Sequence, residues 1–498
     1  MSAYNDISVD IQVNEEYIRK RCENCADIVI RPMMLGKDKK VRCVVVYIEV
    51  AVSNIMLEDT VIGKLISHMW QMSADEILPF VQDNGLGISD VKTLYTMDEA
   101  FAAMLAGNAI FFLDGYPAAL KISSKGYPDM GVSQAEGEKV LRGSKEGFGD
   151  TVKSNSALVR KRLRDTKLKV KEKSIGVRSN TMMQMLYVED LVEPSLLEEI
   201  ENRLNTFEID GIADSGVLEQ LTEETWYSPF PQFQTTERPD RAAMELLDGR
   251  ILLLVDNSPS GLLLPTTFHN FLQVSEDRYN HFEMASFMRM LRYAAVVLTL
   301  IFSGMYLAVT DFHTQVLPTN LMLSFAEARQ GVPFPSMLEI LIMELAFELI
   351  REAGIRMPGP LGGTMGIVGG LIVGQAAVEA NLVSPMIVVV VAITALSSLT
   401  IPNEEFSAPF RLLKYGFIVL GGTLGIFGIA LGVYLLISHL AGLTSFGIPY
   451  LTPFTGSRKE RSKGQREGML RAPIWWMNMR PIFARKEEKV RLRKKGGN

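Results

Sequence analysis

The chain has 498 residues, 47% of them hydrophobic, and a formal net charge of −6. The average conceals two unlike parts. Up to about residue 282, charged and apolar residues mix as in a soluble α/β protein; beyond it long apolar stretches dominate, which excludes a chain that is soluble throughout. The small charge, spread by segment, gives no reason to expect a nucleic-acid partner.

In chain order, residues 1–14 carry acids and no apolar run, so they do not read as a signal peptide, and the polar part is expected to stay in the cytoplasm. Cys22 and Cys25 have the spacing of a zinc or redox pair, but no second pair follows and Cys43 is the remaining cysteine. Buried, reduced thiols are expected, with no metal and no cofactor. Val44-Val45-Val46-Tyr47-Ile48-Glu49 is a β-rich run followed by a helical pattern over 57–69, and Met185-Leu186-Tyr187-Val188-Glu189 repeats it, with a helix over 195–207. Residues 107–114 (GNAIFFLD) likewise match 249–256 (GRILLLVD). A short helix (97–106 or 241–247) precedes each run, and a hairpin turn at Asp114-Gly115 or Asp256-Asn257 leads to a second apolar run. The expected fold class is a bilobed α/β soluble N-terminal region of two related subdomains, 1–130 and 131–282, followed by an all-α polytopic membrane domain. Neither copy contains a phosphate loop, a dinucleotide fingerprint or paired catalytic carboxylates, so the chain is not expected to be an enzyme.

The second subdomain carries two charged motifs. Residues 145–164 read as a helix ending in Arg160, Lys161, Arg162 and Arg164, which suits anionic lipid, an acidic partner or an ordinary solvated helix end. Glu237-Arg238-Pro239-Asp240 sets a residue of fixed φ among charges, as a rigid turn presenting Arg238 and Asp240 requires.

Residues 293–310, 357–378, 380–403 and 415–457 are essentially free of charge over at least about 18 residues, enough to cross about 30 Å of hydrocarbon. Within a membrane domain over 283–455, spans are expected at 287–310, 380–402 and 411–440. Residues 335–378 are expected to hold one more span plus an interfacial or re-entrant segment, and 456–498 a basic cytoplasmic tail. Four crossings keep both ends on one side. Glu344 and Glu348 share a helical face in an apolar segment; they are candidates for a cation path or the acids of an interfacial helix. Gly362, Gly366, Gly370 and Gly374 form a stripe for close helix packing. With several copies about one axis, Gly366, Val368, Gly370, Leu371, Gly374 and Gln375 are candidates to line a narrow lumen. The hydroxyls of Thr394, Ser397 and Ser398 rank below them as a lining.

Several local motifs carry a more specific signal: Arg142-Gly143-Ser144-Lys145-Glu146-Gly147-Phe148, residues 155–164 (NSALVRKRLR), Ser228-Pro229-Phe230-Pro231-Gln232, Thr236-Glu237-Arg238-Pro239-Asp240 and Pro265-Thr266-Thr267-Phe268. With residues 331–335 (GVPFP), 343–348 (MELAFE), 351–356 (REAGIR) and 445–451 (SFGIPYL), they resemble the GerA family over about 140–455. These are the A subunits of nutrient germinant receptors in bacterial endospores. The resemblance implies a multi-pass subunit of the spore inner membrane, with both termini on the core side. It further implies a homo-oligomer that conducts cations and transduces the germination signal, partnered by a transporter-like B subunit and a lipoprotein C subunit. Arg142, Gly143, Glu146, Phe148, Asn155, Arg160, Arg162, Glu237, Arg238, Pro239 and Asp240 are then the candidate cytoplasmic coupling residues. A nonconducting scaffold that recruits partners through its cytoplasmic lobes is the alternative. A transporter is a second, against which stands the lack of a clear inverted repeat in the membrane half.

Overall fold

The computed structural model describes residues 6–50, 68–82, 91–123, 134–355, 361–455, 468–488 and 490–492. The chain forms two compact units, one of Met1–Glu224, Phe233–Pro265 and Asn478–Asn498, the other of Thr225–Gln232 and Thr266–Met477. The division falls at Pro265 and not at residue 282, and part of the tail belongs to the first unit.

The first unit is a duplication whose two sheets have the same plan. Strands β1 (Ile28–Leu35), β2 (Val41–Ile48), β3 (Val91–Leu94), β4 (Ala109–Leu113) and β5 (Ala119–Ile122) lie in the order β1-β2-β4-β5-β3. Strands β6 (Leu168–Ile175), β7 (Thr181–Val188), β8 (Gln234–Thr236), β9 (Ile251–Val255) and β10 (Gly261–Leu264) lie in the order β6-β7-β9-β10-β8. All pairs are antiparallel, and the register repeats, with Ile28 opposite Ile48 in one lobe and Leu168 opposite Val188 in the other. In the first lobe the parity of β2 explains its unbroken apolar run. Val44, Val46 and Ile48 pack against helices α1 (Ile11–Arg21) and α2 (Met97–Leu105), while Cys43, Val45 and Tyr47 face Ile77 and Val81 on the other side. In the second lobe α3 (Val152–Arg162) and α4 (Pro239–Leu247) take the places of α1 and α2 over Leu186, Leu252 and Leu254. The expected helix over 57–69 lies largely outside the described residues.

Smaller devices are duplicated too. The hairpin aspartates cap the first helix of each lobe, Asp114 accepting from the Ile11 N–H at 3.2 Å and Asp256 from that of Val152 at 3.0 Å. Asn14 clasps both backbone groups of Ser8 (2.9 and 2.7 Å), and Asn155 does the same to Gly149 (2.8 and 2.6 Å). The lobes join through Arg160, fully buried, whose guanidinium donates Nε and Nη2 to Asp27 at 2.7 and 2.9 Å in a bidentate pair. All three cysteines are buried as free thiols, and burial pushes Cys22 and Cys43 up to about 12, so both stay protonated at neutral pH.

The described tail residues from 478 on pack against the second lobe. Phe483 and Ala484 are buried, Arg485 donates its N–H to the Leu191 carbonyl at 2.8 Å, and Arg491 reaches Asp248 at 3.2 Å. Gly249, at φ +89°, makes room for it, since a Cβ there would stand 2.6 Å from the Cα of Ala484. Gly249→Ala is therefore expected to destabilise the first unit by about 1–3 kcal/mol and to loosen the tail, read as faster proteolysis at residues 478–492 with the lobes intact.

The second unit is helical: α5 (Phe282–Leu307), α6 (Ser336–Ile355), α7 (Leu361–Glu379), α8 (Pro385–Thr400) and α9 (Glu404–Gly442). Among the described residues two helices are long and apolar enough to cross a membrane, Phe282–Phe312 and Glu404–Gly442. Where one span is expected over 411–440, α9 is broken at Gly425 (φ +63°, ψ −144°) and folds back on itself. A Cβ on Gly432 would lie 2.9 Å from the Phe417 ring, and one on Gly428 would fall on the Leu420 carbonyl oxygen. Small residues at this fold let α5 in as well: a Cβ on Gly304 would meet the Phe417 carbonyl oxygen, and one on Gly421 that of Gly304.

Candidate functional site

Apolar helices bring together charges that none of them could bury alone. Glu344 on α6 is fully buried and accepts Lys414 Nζ of α9 at 2.7 Å and Ser303 Oγ of α5 at 2.8 Å. Ser303 also meets Thr394 Oγ1 of α8 at 3.0 Å, so the carboxylate ends in a chain of hydroxyls. One turn along α6, Glu348 stands 3.8 Å from Lys414 and 3.6 Å from Arg411. Arg411 pairs with Glu404 at 2.8 Å, and Arg351 donates to Glu404 at 2.7 Å and to Ser398 Oγ at 3.1 Å. Acids and bases thus alternate in a ladder between α6 and the first arm of α9. An uncompensated ion at this depth costs several kcal/mol, and pairing offsets most of that penalty.

The far end of α6 holds a second polar group. Glu339 is fully buried and accepts the N–H of Ser384, the residue that caps α8, at 2.8 Å, with Arg329 3.5 Å away. Of the glycine stripe, Gly370 and Gly374 pack within the chain, where a Cβ on Gly370 would meet the Phe347 ring at 3.1 Å and one on Gly374 would meet Val388 at 3.1 Å. Gln375 is exposed and donates to Glu379 at 2.9 Å. Gly366, Val368 and Leu371 sit on α7 at positions outside the described side chains.

Most of the candidate coupling residues lie inside the second lobe. Arg160, read as one of a set of cations for anionic lipid, an acidic partner or solvent, is buried against Asp27, while Lys161 and Arg162 pair with Glu146. Arg238 is not presented by a turn either. It is the buried residue before α4, donating to Asp240 at 2.9 Å and to the Ser144 carbonyl at 2.8 Å, and Pro239 opens the helix. The Phe148 N–H donates to the Glu237 carbonyl at 2.7 Å, Gly143 has φ +127°, and Arg142 is exposed.

Beside the start of α5, His269 is buried with Nδ1 2.6 Å from the Tyr293 hydroxyl, and burial, then the Arg289 guanidinium, push it down to about 3. Its folded value lies below the ordinary 6.5, so its contribution to stability is complete above that pH and is lost as pH falls toward 3. Unfolding measured between pH 7 and 4 is expected to show a shallower decline in His269→Gln than in the parent.

The family described as Bacillus/Clostridium GerA spore germination protein matches residues 16–483. The chain belongs to the GerA family. Among its relatives, spore germination protein KA of Bacillus subtilis (strain 168) is 34% identical over 492 residues, covering 97% of this chain and 88% of that protein. Spore germination protein A1 of the same organism is 39% identical over 364 residues, covering 73% and 76%. The uncharacterised membrane protein YfkQ of that strain is 38% identical over 476 residues, covering 95% and 91%. A crystal structure of the N-terminal domain of the A subunit of the Bacillus megaterium spore germinant receptor GerK3 is 26% identical, covering 53% of this chain and 98% of that one, with a TM-score of 0.42.

In this GerA chain three of the family-like motifs meet in the helical unit. Ser445 Oγ donates to the Gln232 carbonyl at 2.8 Å and accepts the Thr266 N–H at 3.1 Å, and Tyr450 Oη donates to the Pro231 carbonyl at 3.0 Å. Sequence reasoning missed Arg411 and Lys414, which fall inside the expected span over 411–440 and were not singled out. Their i, i+3 spacing beside the i, i+4 pair of Glu344 and Glu348 was the available signal.

Proposed function

We propose that this chain is the membrane A subunit of a spore nutrient germinant receptor and that the charge ladder sets its resting state. The observation that carries the reading is the Glu344–Lys414 contact, 2.7 Å between a fully buried carboxylate and a nearly buried ammonium, in a chain matched by the GerA family over residues 16–483. The relatives' names supply the germination role; the ladder supplies a two-state element. With α6 held to α9 the carboxylates are neutralised and offer no path to a cation. Separation of the two helices exposes Glu344 and Glu348 to a water-filled lumen.

The subunit works as a homo-oligomer in the spore inner membrane, with a transporter-like B subunit that binds the nutrient and a lipoprotein C subunit, and it has no enzymatic role. The ends of the helical unit support six crossings: α5, α6, α7, α8 and the two arms of α9. Glu339 meets Ser384 and Gly425 lies on Phe312 and His313 at one end, while Arg351 meets Ser398 and Glu404 at the other. The number stays even, which keeps both termini cytoplasmic. α7 leaves Ile372 and Gln375 exposed, a face available to neighbouring copies about the lumen.

Current across planar bilayers tests the reading. Lys414→Gln is expected to raise resting cation leak by unmasking the carboxylates, and Glu344→Gln with Glu348→Gln to abolish it. Equal currents in parent and variants would favour the nonconducting scaffold.

A further inference from the structure

Residues 468–476, in the helical unit, run along the start of α5. Ser286 Oγ accepts the Arg471 N–H at 3.0 Å and donates to its carbonyl at 3.2 Å, while the Arg471 guanidinium turns inward to the carbonyls of Asn280 and Arg278 at 2.5 and 3.1 Å. Arg471 is 5% exposed, whereas Ile474, Trp475 and Trp476 are 58%, 69% and 60% exposed. A segment facing water does the reverse, hiding its indoles and showing its arginine.

The outward face therefore meets an apolar phase, and its surroundings say which. α5 alongside exposes Phe282, Met284, Phe287 and Met288 over its first turns, continuous with the apolar length that suits it to cross a membrane. Indole rings favour the headgroup level, where an apolar body and a polar N–H are both accommodated. A second aromatic pair stands at the closing end of α9. Trp226 and Tyr227, 84% and 68% exposed, pack edge to face at 6.0 Å, next to Ser228, which contacts His439 at 3.0 Å. The stretch before residue 468 is basic in sequence, with Arg458, Lys459, Arg461 and Lys463, which favours anionic lipid.

We infer that residues 469–476 are an interfacial anchor, lying in the headgroup layer of an anionic bilayer on the side where α5 begins, with Trp475 and Trp476 in contact with lipid.

The chain has four tryptophans, so Trp70→Phe with Trp226→Phe leaves Trp475 and Trp476 as the only indole emitters. The full-length protein carrying these changes is reconstituted in phosphatidylcholine–phosphatidylglycerol vesicles. Brominated phosphatidylcholine with its bromines near the headgroup is expected to quench most of the emission, more than bromines deep in the chains, with little quenching by acrylamide. Ready quenching by acrylamide and none by bromolipid would place the segment in water and overturn the inference. Protection from both quenchers would mean that a second copy covers it, and would overturn it equally. As a check in the otherwise unchanged protein, Trp475→Phe with Trp476→Phe lowers the shallow bromolipid-sensitive component to what Trp226 alone contributes; an undiminished component would also overturn the inference.

Discussion

Lys414→Met is expected to destabilise the helical unit by about 3–5 kcal/mol, because it leaves a fully buried carboxylate without its counter-ion. Ser303 still donates to Glu344, but a hydroxyl does not replace an ammonium. Glu344→Leu alone is expected to cost a similar amount by stranding Lys414, although Glu348, 3.8 Å from Nζ, supplies part of the lost attraction. Combining the two should recover most of the loss, since a matched apolar pair at a buried site is often as stable as the ion pair it replaces. Thermal unfolding of the four proteins in one detergent gives the coupling directly. Additive losses would show that Glu344 and Lys414 do not share one interaction. By contrast, breaking Arg411 from half-exposed Glu404 is expected to cost at most about 1 kcal/mol.

Gly421→Ala and Gly304→Ala are expected to disrupt the fold of α9 against α5, at or beyond the upper end of the about 1–3 kcal/mol usual for overpacking. Each new methyl group would meet a backbone carbonyl oxygen, which cannot swing aside as a side chain can. Gly416→Ala on the same helix is the control, since a Cβ there has nothing within 4 Å. It should stabilise by about 0.5–1 kcal/mol through helix propensity. Gel filtration and melting temperature in detergent distinguish the pair. Equal behaviour of Gly416→Ala and Gly421→Ala would refute the close approach.

Much of the first unit was legible in the sequence because its signal is local and occurs twice. The runs at 107–114 and 249–256 share a period-two apolar pattern and an aspartate turn, and both became the strand and hairpin expected. That those aspartates also cap α1 and α3, on elements about a hundred residues away, depends on topology and leaves no trace in spacing. The same limit explains Arg160, whose partner Asp27 belongs to the other copy, so a helix end rich in cations looked solvated. In the helical unit the acidic pair on α6 was visible but its partners were not, because they arrive from a helix some seventy residues later. Of the glycines that meet between α5 and α9, Gly304 stands alone on α5, while Gly421 begins a series with Gly425, Gly428 and Gly432 inside an expected span, and the regular series along α7 drew attention first.

The return of the tail to the second lobe bears on how the protein can be dissected. A fragment ending at Pro265 would lack Phe483, whose ring lies 5.5 Å from the Arg250 guanidinium, and Ala484, which fills the space left by Gly249. Such a fragment would carry a fresh opening on one side of its sheet, and affinities measured on it would describe a truncated surface. Supplying residues 478–492 as a separate peptide, or joining them through a short connector, is the way to study the lobes whole.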